Sequence, residues 1–285
     1  MSHFHILTFA CPDKPGIVHA VTGIFASHSL NIVDLQQFSD PASKSFFMRV
    51  HFGPTSDESA TAMLDGPFAK LSAQLGMTQL SIRPKTRRTR TLIMVSKIGH
   101  CLNDLLFRAQ AGKLAIDVPV VVSNHADFRT MVENHGIEFR HLPVTPATRS
   151  EQEQQVLDIV AEFSIELVVL ARYMQVLSPR LCSALSGHVV NIHHSFLPSF
   201  KGARPYHQAF DRGVKIIGAT AHFVTADLDE GPIIEQRVVR VDHAMSPAEL
   251  AAEGADVESQ VLAAAVKWVV EGRVFLNGSK TVVFS

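Results

Sequence analysis

The sequence predicts a two-domain α/β protein, and three observations lead to this prediction. Residues 1–84 alternate short segments of strand and helix periodicity in the order βαββαβ. Residues 85–90 then interrupt the apolar pattern, and residues 91–285 return to short apolar strands that alternate with helical segments. The length of 285 residues also exceeds what one hydrophobic core usually organises, since domains typically hold about 100–150 residues.

The first domain is predicted from six segments of alternating type. Proline fixes a backbone suited to a first helical turn at Pro15, and Gly16 leaves that turn without a side chain. The βαββαβ order is that of a ferredoxin-like fold. The predicted strands are Phe4–Ala10, Leu30–Phe38, Ser45–Phe52 and Met77–Ile82, and the predicted helices are Pro15–Ser27 and Glu58–Leu75.

Residues 85–90 read KTRRTR and predict an exposed basic linker. A solvated hinge is favoured over a phosphate-binding patch, because no aromatic residue is interleaved with the cations. The linker therefore separates the two domains without predicting a site of its own.

The second domain is predicted to hold a mostly parallel, Rossmann-like sheet, because short apolar strands alternate with crossover helices. Ligands of such sheets bind beyond the carboxyl ends of the strands. The predicted strands are Thr91–Ser96, Val118–Ser123, Glu138–Leu142, Leu167–Leu170, Lys215–Val224 and Pro232–Val241, and the predicted helices are Leu102–Ala111, Phe128–Asn134, Glu151–Phe163 and Pro247–Val270.

Composition limits the classes of partner. Lys plus Arg number 26 and Asp plus Glu number 27, so the charge balance gives no reason to expect binding to nucleic acid or to an anionic membrane. No apolar run approaches the ~18 residues of a membrane span, and the first residues show no secretory pattern. The three cysteines are scattered, which is typical of buried thiols in a reducing compartment. We therefore expect a cytoplasmic protein.

The chemistry is predicted to lie at the end of an apolar strand, where residues 189–198 read VVNIHHSFLP. Strand alternation places Asn191 and His193 on the same side. Residues 225–232, TADLDEGP, supply carboxylates from a loop between two later strands. An amide, an imidazole and a carboxylate together suffice for acyl-group chemistry without a metal. No zinc-ligand spacing is present, so no metal is predicted.

The first domain resembles an ACT domain, through residues 13–18, DKPGIV, and the order of its elements. The resemblance implies a regulatory module that pairs with a second copy, so we expect a homo-oligomer, a dimer or a tetramer. It also implies an amino-acid effector held near Gly16, at the start of the first helix, with Asn31 nearby. A dimerisation module that binds nothing stays open as the alternative.

The second domain resembles the folate-dependent formyltransferase superfamily, through NIHHSFLPSF at 191–200, HFVT at 222–225 and LDEGPII at 228–234. The segment ARYMQVLS at 171–178 resembles the pterin-binding loop of that superfamily. The resemblance implies a folate substrate, with no separate cofactor. The substrate-binding residues that it implies are Arg172, Tyr173, Met174, Val176, Leu177, His222 and Thr225.

The resemblance and the chemistry together assign three catalytic roles. Asn191 donates a hydrogen bond to the oxyanion that forms when the formyl carbon is attacked. His193 relays protons and stabilises that oxyanion, since histidine is the side chain that changes charge near neutral pH. Asp229 orients His193 and a water molecule. Asp227 is the competing acid, and His194 and His222 either line the pocket or fix the geometry of the loops.

Water is the predicted acceptor of the formyl group, so the expected reaction is hydrolysis of 10-formyltetrahydrofolate to tetrahydrofolate and formate. The turn after the first strand of the second domain, residues 96–104, contains one glycine and is a weak phosphate cradle for glycinamide ribonucleotide. A transfer RNA acceptor would need a basic surplus that the chain lacks. Transfer to an amine and a non-catalytic folate or amino-acid sensor stay open as alternatives. Lys97, Lys201 and Arg204 are candidate contacts for the glutamate tail of folate.

Overall fold

The structure is a computed structural model that describes residues 4–54, 64–197 and 205–285. Its contacts divide the chain into two units, Met1–Arg87 with Glu271–Ser285, and Arg88–Val270. In chain order the elements are β1 (His5–Pro12), α1 (Ile17–Ser27), β2 (Leu30–Asp40), β3 (Ser45–Pro54), α2 (Asp65–Leu75), β4 (Thr78–Pro84), β5 (Thr89–Val95), α3 (His100–Gln110), β6 (Ile116–Ser123), α4 (Arg129–Asn134), β7 (Glu138–His141), α5 (Arg149–Glu162), β8 (Leu167–Leu170), α6 (Pro179–Ala184), β9 (Val189–His193), α7 (Pro205–Asp211), β10 (Ile216–Phe223), β11 (Ile233–Arg240), α8 (Pro247–Val270), β12 (Val274–Asn277) and β13 (Lys280–Val283).

The first unit contains the predicted βαββαβ arrangement. Its four strands form an antiparallel sheet in the order β2-β3-β1-β4. Alternation along β3 turns Phe46, Met48, Val50 and Phe52 into the core that α1 and α2 cover. The helix predicted over residues 58–75 begins at Asp65 within the described residues, and its earlier part lies outside them.

The opposite face of this sheet carries the C-terminal hairpin, β12 and β13. Phe275 of the hairpin is buried against Ala10 and Phe47. Arg49, on the same face as Phe47, donates from Nε to the carbonyl of Glu271 at 3.3 Å. The sequence-based boundary placed residues 271–285 in the second domain, whereas the structure places them in the first unit. The apolar pattern of one short hairpin does not reveal which sheet it covers.

The second unit is built on a seven-stranded sheet in the order β11-β10-β9-β8-β5-β6-β7. The strands from β9 to β7 in this order are parallel, as predicted, and β10 runs antiparallel to both β9 and β11. Strand β5 begins at Thr89, inside the segment predicted as a linker. Two short helices, α6 and α7, were not predicted.

The core of the second unit lies on both faces of the central strands. The buried residues Leu92, Val120, Val168 and Val189 pack together from four neighbouring strands. Cys101 and Cys182 are buried free thiols, as is Cys11 in the first unit. In the part of the chain that the structure describes, no helix is both long enough and apolar enough to cross a bilayer.

Candidate active site

Two neighbouring strands bring the first catalytic candidates together. Asn191 and His193 lie two residues apart on β9, and the side chains share one face of the strand. The antiparallel register of β10 then places His222 opposite Asn191. His193 and His222 are both buried, so their ring nitrogens need partners within the protein.

Asp229 completes the predicted trio from the loop between β10 and β11. Its Oδ2 lies 3.3 Å from Nδ1 of His193, and its Oδ1 lies 3.7 Å from Nε2 of His222. The competing acid, Asp227, is exposed. The structure therefore gives Asp229, and not Asp227, the contact with the imidazole.

The loop that carries Asp229 has little freedom to move. Asp229 has a positive φ of 57°, a conformation that side-chain-bearing residues adopt rarely. Two residues later, Gly231 packs so tightly that an added Cβ would collide with the carbonyl oxygen of Phe223. Only glycine fits there, and this close approach fixes where the carboxylate lies.

The environment of Asp229 favours its ionised form. The hydrogen bond with His193 holds the pKa of Asp229 well below its usual range, although partial burial opposes this. The carboxylate is therefore a permanent acceptor at neutral pH. In neutral His193 it keeps the ring proton on Nδ1.

His222 orients the amide of Asn191. The Nδ1–H of His222 donates to the carbonyl oxygen of Phe223 at 2.8 Å, because a carbonyl can only accept. The Nε2 atom of the neutral ring is then an acceptor, and Asn191 Nδ2 donates to it at 3.2 Å. This bond uses one proton of the NH2 group of Asn191 and leaves its second proton for another acceptor.

The second nitrogen of His193 also has a partner in the protein. Its Nε2 lies 2.9 Å from Oγ of Ser195, which is itself buried. The buried hydroxyl of Thr220 donates to the carbonyl of Ser195 at 3.0 Å and accepts from the amide of Leu197 at 3.1 Å. Hydrogen bonds to Thr220 thus hold the segment that follows β9 against β10.

A cavity of about 580 Å³ opens in front of these side chains. Its apolar rim includes Met174 and Val176, which are 56% and 52% exposed and so offer free apolar surface to a flat ring. The predicted catalytic and substrate-binding residues that line this cavity are Arg172, Tyr173, Met174, Val176, Leu177, Asn191, His193, His222, Thr225 and Asp229.

A buried charge cluster adjoins the cavity, centred on Glu258 of α8. Oε2 of Glu258 lies 3.4 Å from Nη1 of Arg172 and 2.8 Å from Nε2 of His100. Its Oε1 accepts a hydrogen bond of 2.7 Å from the hydroxyl of Tyr206. Burial opposes the charged form of Glu258, but these partners together hold the pKa of the carboxyl below its usual value.

Arg172 is held under two kinds of constraint. Its φ is 63°, which costs a residue with a Cβ about 1–2 kcal/mol, and its side chain is only 9% exposed. Neither Nε nor Nη1 has a hydrogen-bond partner among the described residues. Such features concentrate at functional sites.

Sequence reasoning missed Glu258, His100 and Tyr206. One signal was present, since Glu258 interrupts the apolar face of α8 between Val257 and Val261. A carboxyl group on such a face predicts a buried partner. The sequence does not identify that partner, because Arg172, His100 and Tyr206 come from three distant segments.

One group of potential metal ligands occurs among the described residues. The ligand atoms of His100, Cys101 and Glu258 lie within 4.8 Å of one another. Burial, followed by the charge of Glu258, raises the pKa of the Cys101 thiol far above its usual value, so the thiolate form is disfavoured. Arg172 already balances the carboxylate of Glu258. The chemistry of this group does not favour a metal.

The remaining predicted contacts lie elsewhere. Gly16 caps α1 with a φ of 91°, and open space surrounds the position of a Cβ. Asn31 lies on β2, opposite Gly53. Lys97 is exposed and does not line the cavity, while Lys201 and Arg204 lie outside the described residues.

Comparison with known proteins identifies both parts of the chain. Residues 89–266 match the model of the formyl transferase family, and residues 5–62 match that of the ACT domain. A formyltetrahydrofolate deformylase of Corynebacterium sp. (strain P-1) is 51% identical over 98% of this chain and 97% of that protein.

Solved structures agree with this comparison. The crystal structure of formyltetrahydrofolate deformylase from Burkholderia mallei superposes with a TM-score of 0.95 at 51% identity, and covers 99% of this chain and 100% of that one. Glycinamide ribonucleotide transformylase 1 from Symbiobacterium toebii gives a TM-score of 0.66 at 29% identity and covers 73% of this chain and 99% of that one. The chain belongs to the formyltetrahydrofolate deformylase family of hydrolases.

Proposed function

We propose that the protein hydrolyses 10-formyltetrahydrofolate to tetrahydrofolate and formate at the Asn191, His193 and Asp229 site. The observation that carries the proposal is the contact of Asp229 with His193 beside Asn191, at the wall of a cavity large enough for a bicyclic ring. Membership of the deformylase family supports the same reaction.

The three side chains meet the separate needs of formamide hydrolysis. Attack of water on the formyl carbon places negative charge on the formyl oxygen, and the second N–H of Asn191 Nδ2 donates to it. The folate nitrogen is a poor leaving group until it is protonated, and His193 is the proton donor and relay for that nitrogen. Asp229 stabilises the charged form of His193 and fixes the orientation of its ring.

The folate ring binds against the loop that follows β8. Met174 and Val176 supply apolar surface to the flat ring system. The loop is held from behind, because Ser96 Oγ accepts from the amide of Met174 at 2.9 Å and donates to Asn124 at 2.7 Å. A rigid loop presents its backbone groups to the polar edge of the pterin without an ordering cost.

The start of α3 supports water as the acceptor. A phosphorylated amine would need free amides and positive potential at this helix N-terminus. The ring of Phe128 packs directly on Gly99, so closely that a Cβ there would overlap it. His100, the first residue of the helix, contacts the carboxylate of Glu258. An aromatic ring and a buried acid oppose the binding of a phosphate.

Formate release is the direct test. Purified protein is incubated with 10-formyltetrahydrofolate, with and without glycinamide ribonucleotide, and formate and tetrahydrofolate are measured. We expect equal amounts of both products without any amine. Turnover that requires the amine would make the protein a transferase, and the absence of any turnover would favour a folate sensor.

The ACT domain is proposed to bind an amino acid and to pair with a second copy. Open space at Gly16, where α1 begins with backbone amides exposed, suits a ligand carboxylate. Calorimetric titration with glycine, methionine and serine tests binding, and light scattering tests the expected homo-oligomer. If none of the three amino acids produces heat, the ACT domain would be left with the pairing role alone. A cytoplasmic location stays a prediction.

A further inference from the structure

Four imidazoles line the wall of the cavity. His207 on α7 is exposed to solvent, and of the three rings that are not exposed two are fully occupied by protein partners. His193 contacts Asp229 through Nδ1 and Ser195 through Nε2. His222 contacts Phe223 through Nδ1 and Asn191 through Nε2. Neither ring keeps a lone pair free for a water molecule unless one of these bonds breaks.

His194 is the third imidazole, and its surroundings differ. No described residue makes a hydrogen bond to either of its ring nitrogens. The ring stacks on His193, with centroids 5.1 Å apart and planes inclined by 27°, and it faces Tyr206 at 6.5 Å. His194 lines the cavity that Asn191 and Asp229 also line, and it lines a smaller apolar cavity of about 200 Å³ as well.

The charges around His194 keep its ring neutral. Burial is the main cause, and the positive charges of Arg172 and His193 act in the same direction. Glu258 from α8 and Asp229 from the β10–β11 loop oppose them. The balance lowers the pKa of His194 to about 4, so a ring lone pair is available at neutral pH.

We propose that His194 is the general base that removes a proton from the attacking water. This inference rests on the proposed hydrolysis and assigns the two adjacent imidazoles different roles. His194 acts on the nucleophile, and His193 acts on the leaving nitrogen and the oxyanion. The stacking contact holds both rings side by side at the wall of the cavity.

The reaction needs no reactant other than water and the folate substrate. The water oxygen forms a bond to the formyl carbon while one of its protons passes to His194, and the carbonyl π electrons move to the formyl oxygen. Protonated His193 then exchanges its contact with Ser195 for the folate nitrogen and gives that nitrogen the proton on Nε2, and the carbon–nitrogen bond breaks. Formic acid loses its proton to become formate, and the proton on His194 passes through solvent to restore His193.

The base becomes stronger as the reaction proceeds. Negative charge that develops on the formyl oxygen lies in the same cavity as His194 and favours its protonated form. The neutral resting state therefore keeps the lone pair free, and the intermediate stabilises the proton once it has moved. Burial and the charges of Arg172 and Glu258 set this balance.

Replacement of His194 tests the proposal, with wild-type hydrolysis measured first. In His194→Ala we expect kcat to fall by about 10²-fold or more with little change in KM, because removal of a general base slows only the chemical step. Imidazole added to the buffer should restore part of the rate, since the missing ring leaves space for it. Rescue by imidazoles of increasing pKa should rise with basicity.

Two further variants make the result decisive. His194→Gln fills the space without supplying a base, so it should lose the same rate and show no rescue. His141→Ala removes an exposed histidine and should leave the rate unchanged. Near wild-type kcat in either His194 variant, or a loss in His194→Ala that no imidazole rescues, would overturn the role of His194. A wild-type protein that releases no formate would overturn the hydrolytic function itself.

Discussion

Oδ2 of Asp229 lies 3.3 Å from His193 while Oδ1 of the same carboxylate lies 3.7 Å from His222, so one acid serves imidazoles on two neighbouring strands. His193 comes from the end of β9 and His222 from the end of β10. The antiparallel pairing of these strands therefore determines the geometry of the site. A shift of the register would separate the acid from one of its two partners.

Asp229→Asn should lower kcat for formate release by about 10²-fold or more. The amide removes the negative charge that stabilises protonated His193 and no longer fixes the ring tautomer. Asp227→Asn is the matched control, because Asp227 is an exposed acid that lines the same cavity without a contact to His193, so its kcat should stay close to wild type. Comparable losses in both variants would mean that the loop, and not the contact with His193, matters for turnover.

The same acid should make stability depend on pH. Its pKa is lowered in the folded protein by His193, so its contribution is present above the unfolded value of ~4 and is lost as pH falls toward the folded value. Urea unfolding of wild type and Asp229→Asn should show a stability difference that shrinks as pH falls below ~4. A difference that does not change with pH would contradict the ionised pairing.

His222 and Asn191 should act as one unit. Asn191→Ala should lose about 10²-fold in kcat, as for other oxyanion donors, and His222→Ala about 10-fold, as for loss of one orienting hydrogen bond. The double variant should lose no more than Asn191→Ala alone, because His222 acts through the amide. Losses that multiply in the double-mutant cycle would show that the two side chains act independently.

Glu258→Gln should destabilise the second unit. The substitution leaves Arg172 buried without an opposite charge, and breaking a buried ion pair in this way typically costs about 3–5 kcal/mol. Asp256→Asn, an exposed change in the same helix, should cost less than about 0.5 kcal/mol. Urea denaturation measures the free energy of unfolding of both variants. Equal values for Glu258→Gln and Asp256→Asn would show that Arg172 finds another partner.

Replacement of two helical glycines by alanine should change the stability of the protein in opposite directions. A Cβ at Gly254 of α8 would overlap the ring and hydroxyl of Tyr206, which donates to Glu258, so Gly254→Ala should destabilise the protein. Gly23 in α1 has open space, so Gly23→Ala should stabilise by about 0.5–1 kcal/mol. Thermal unfolding distinguishes these outcomes, and stabilisation by both substitutions would mean that Tyr206 moves without cost.

The sequence predicted most of the regular elements because their patterns are long or strongly apolar. Helix α8 begins and ends where the periodicity and the proline at its start placed it, at Pro247 and Val270. Strand β8 also coincides with its prediction. Helix α6 escaped prediction although Ser178 caps it and Pro179 follows, because a helix of one or two turns shows too little periodicity.

The candidate site was predictable as a set of residues and not as a set of contacts. Alternation along one strand placed Asn191 and His193 together, but the position of His222 opposite Asn191 depends on which strands pair. The cluster around Glu258 depends on tertiary contacts between a late helix, a loop and the start of α3. Charges that meet only after folding leave no local pattern.

The C-terminal hairpin has a consequence for how the chain can be shortened. A protein that stops at Val270 would keep every proposed catalytic residue and the whole seven-stranded sheet. It would also lack Phe275, which packs against Ala10 and Phe47, so the ring of Phe47 would be exposed to solvent. The first unit is therefore complete only after residues 88–270, which form the whole of the second unit, have been synthesised and residues 271–285 have followed.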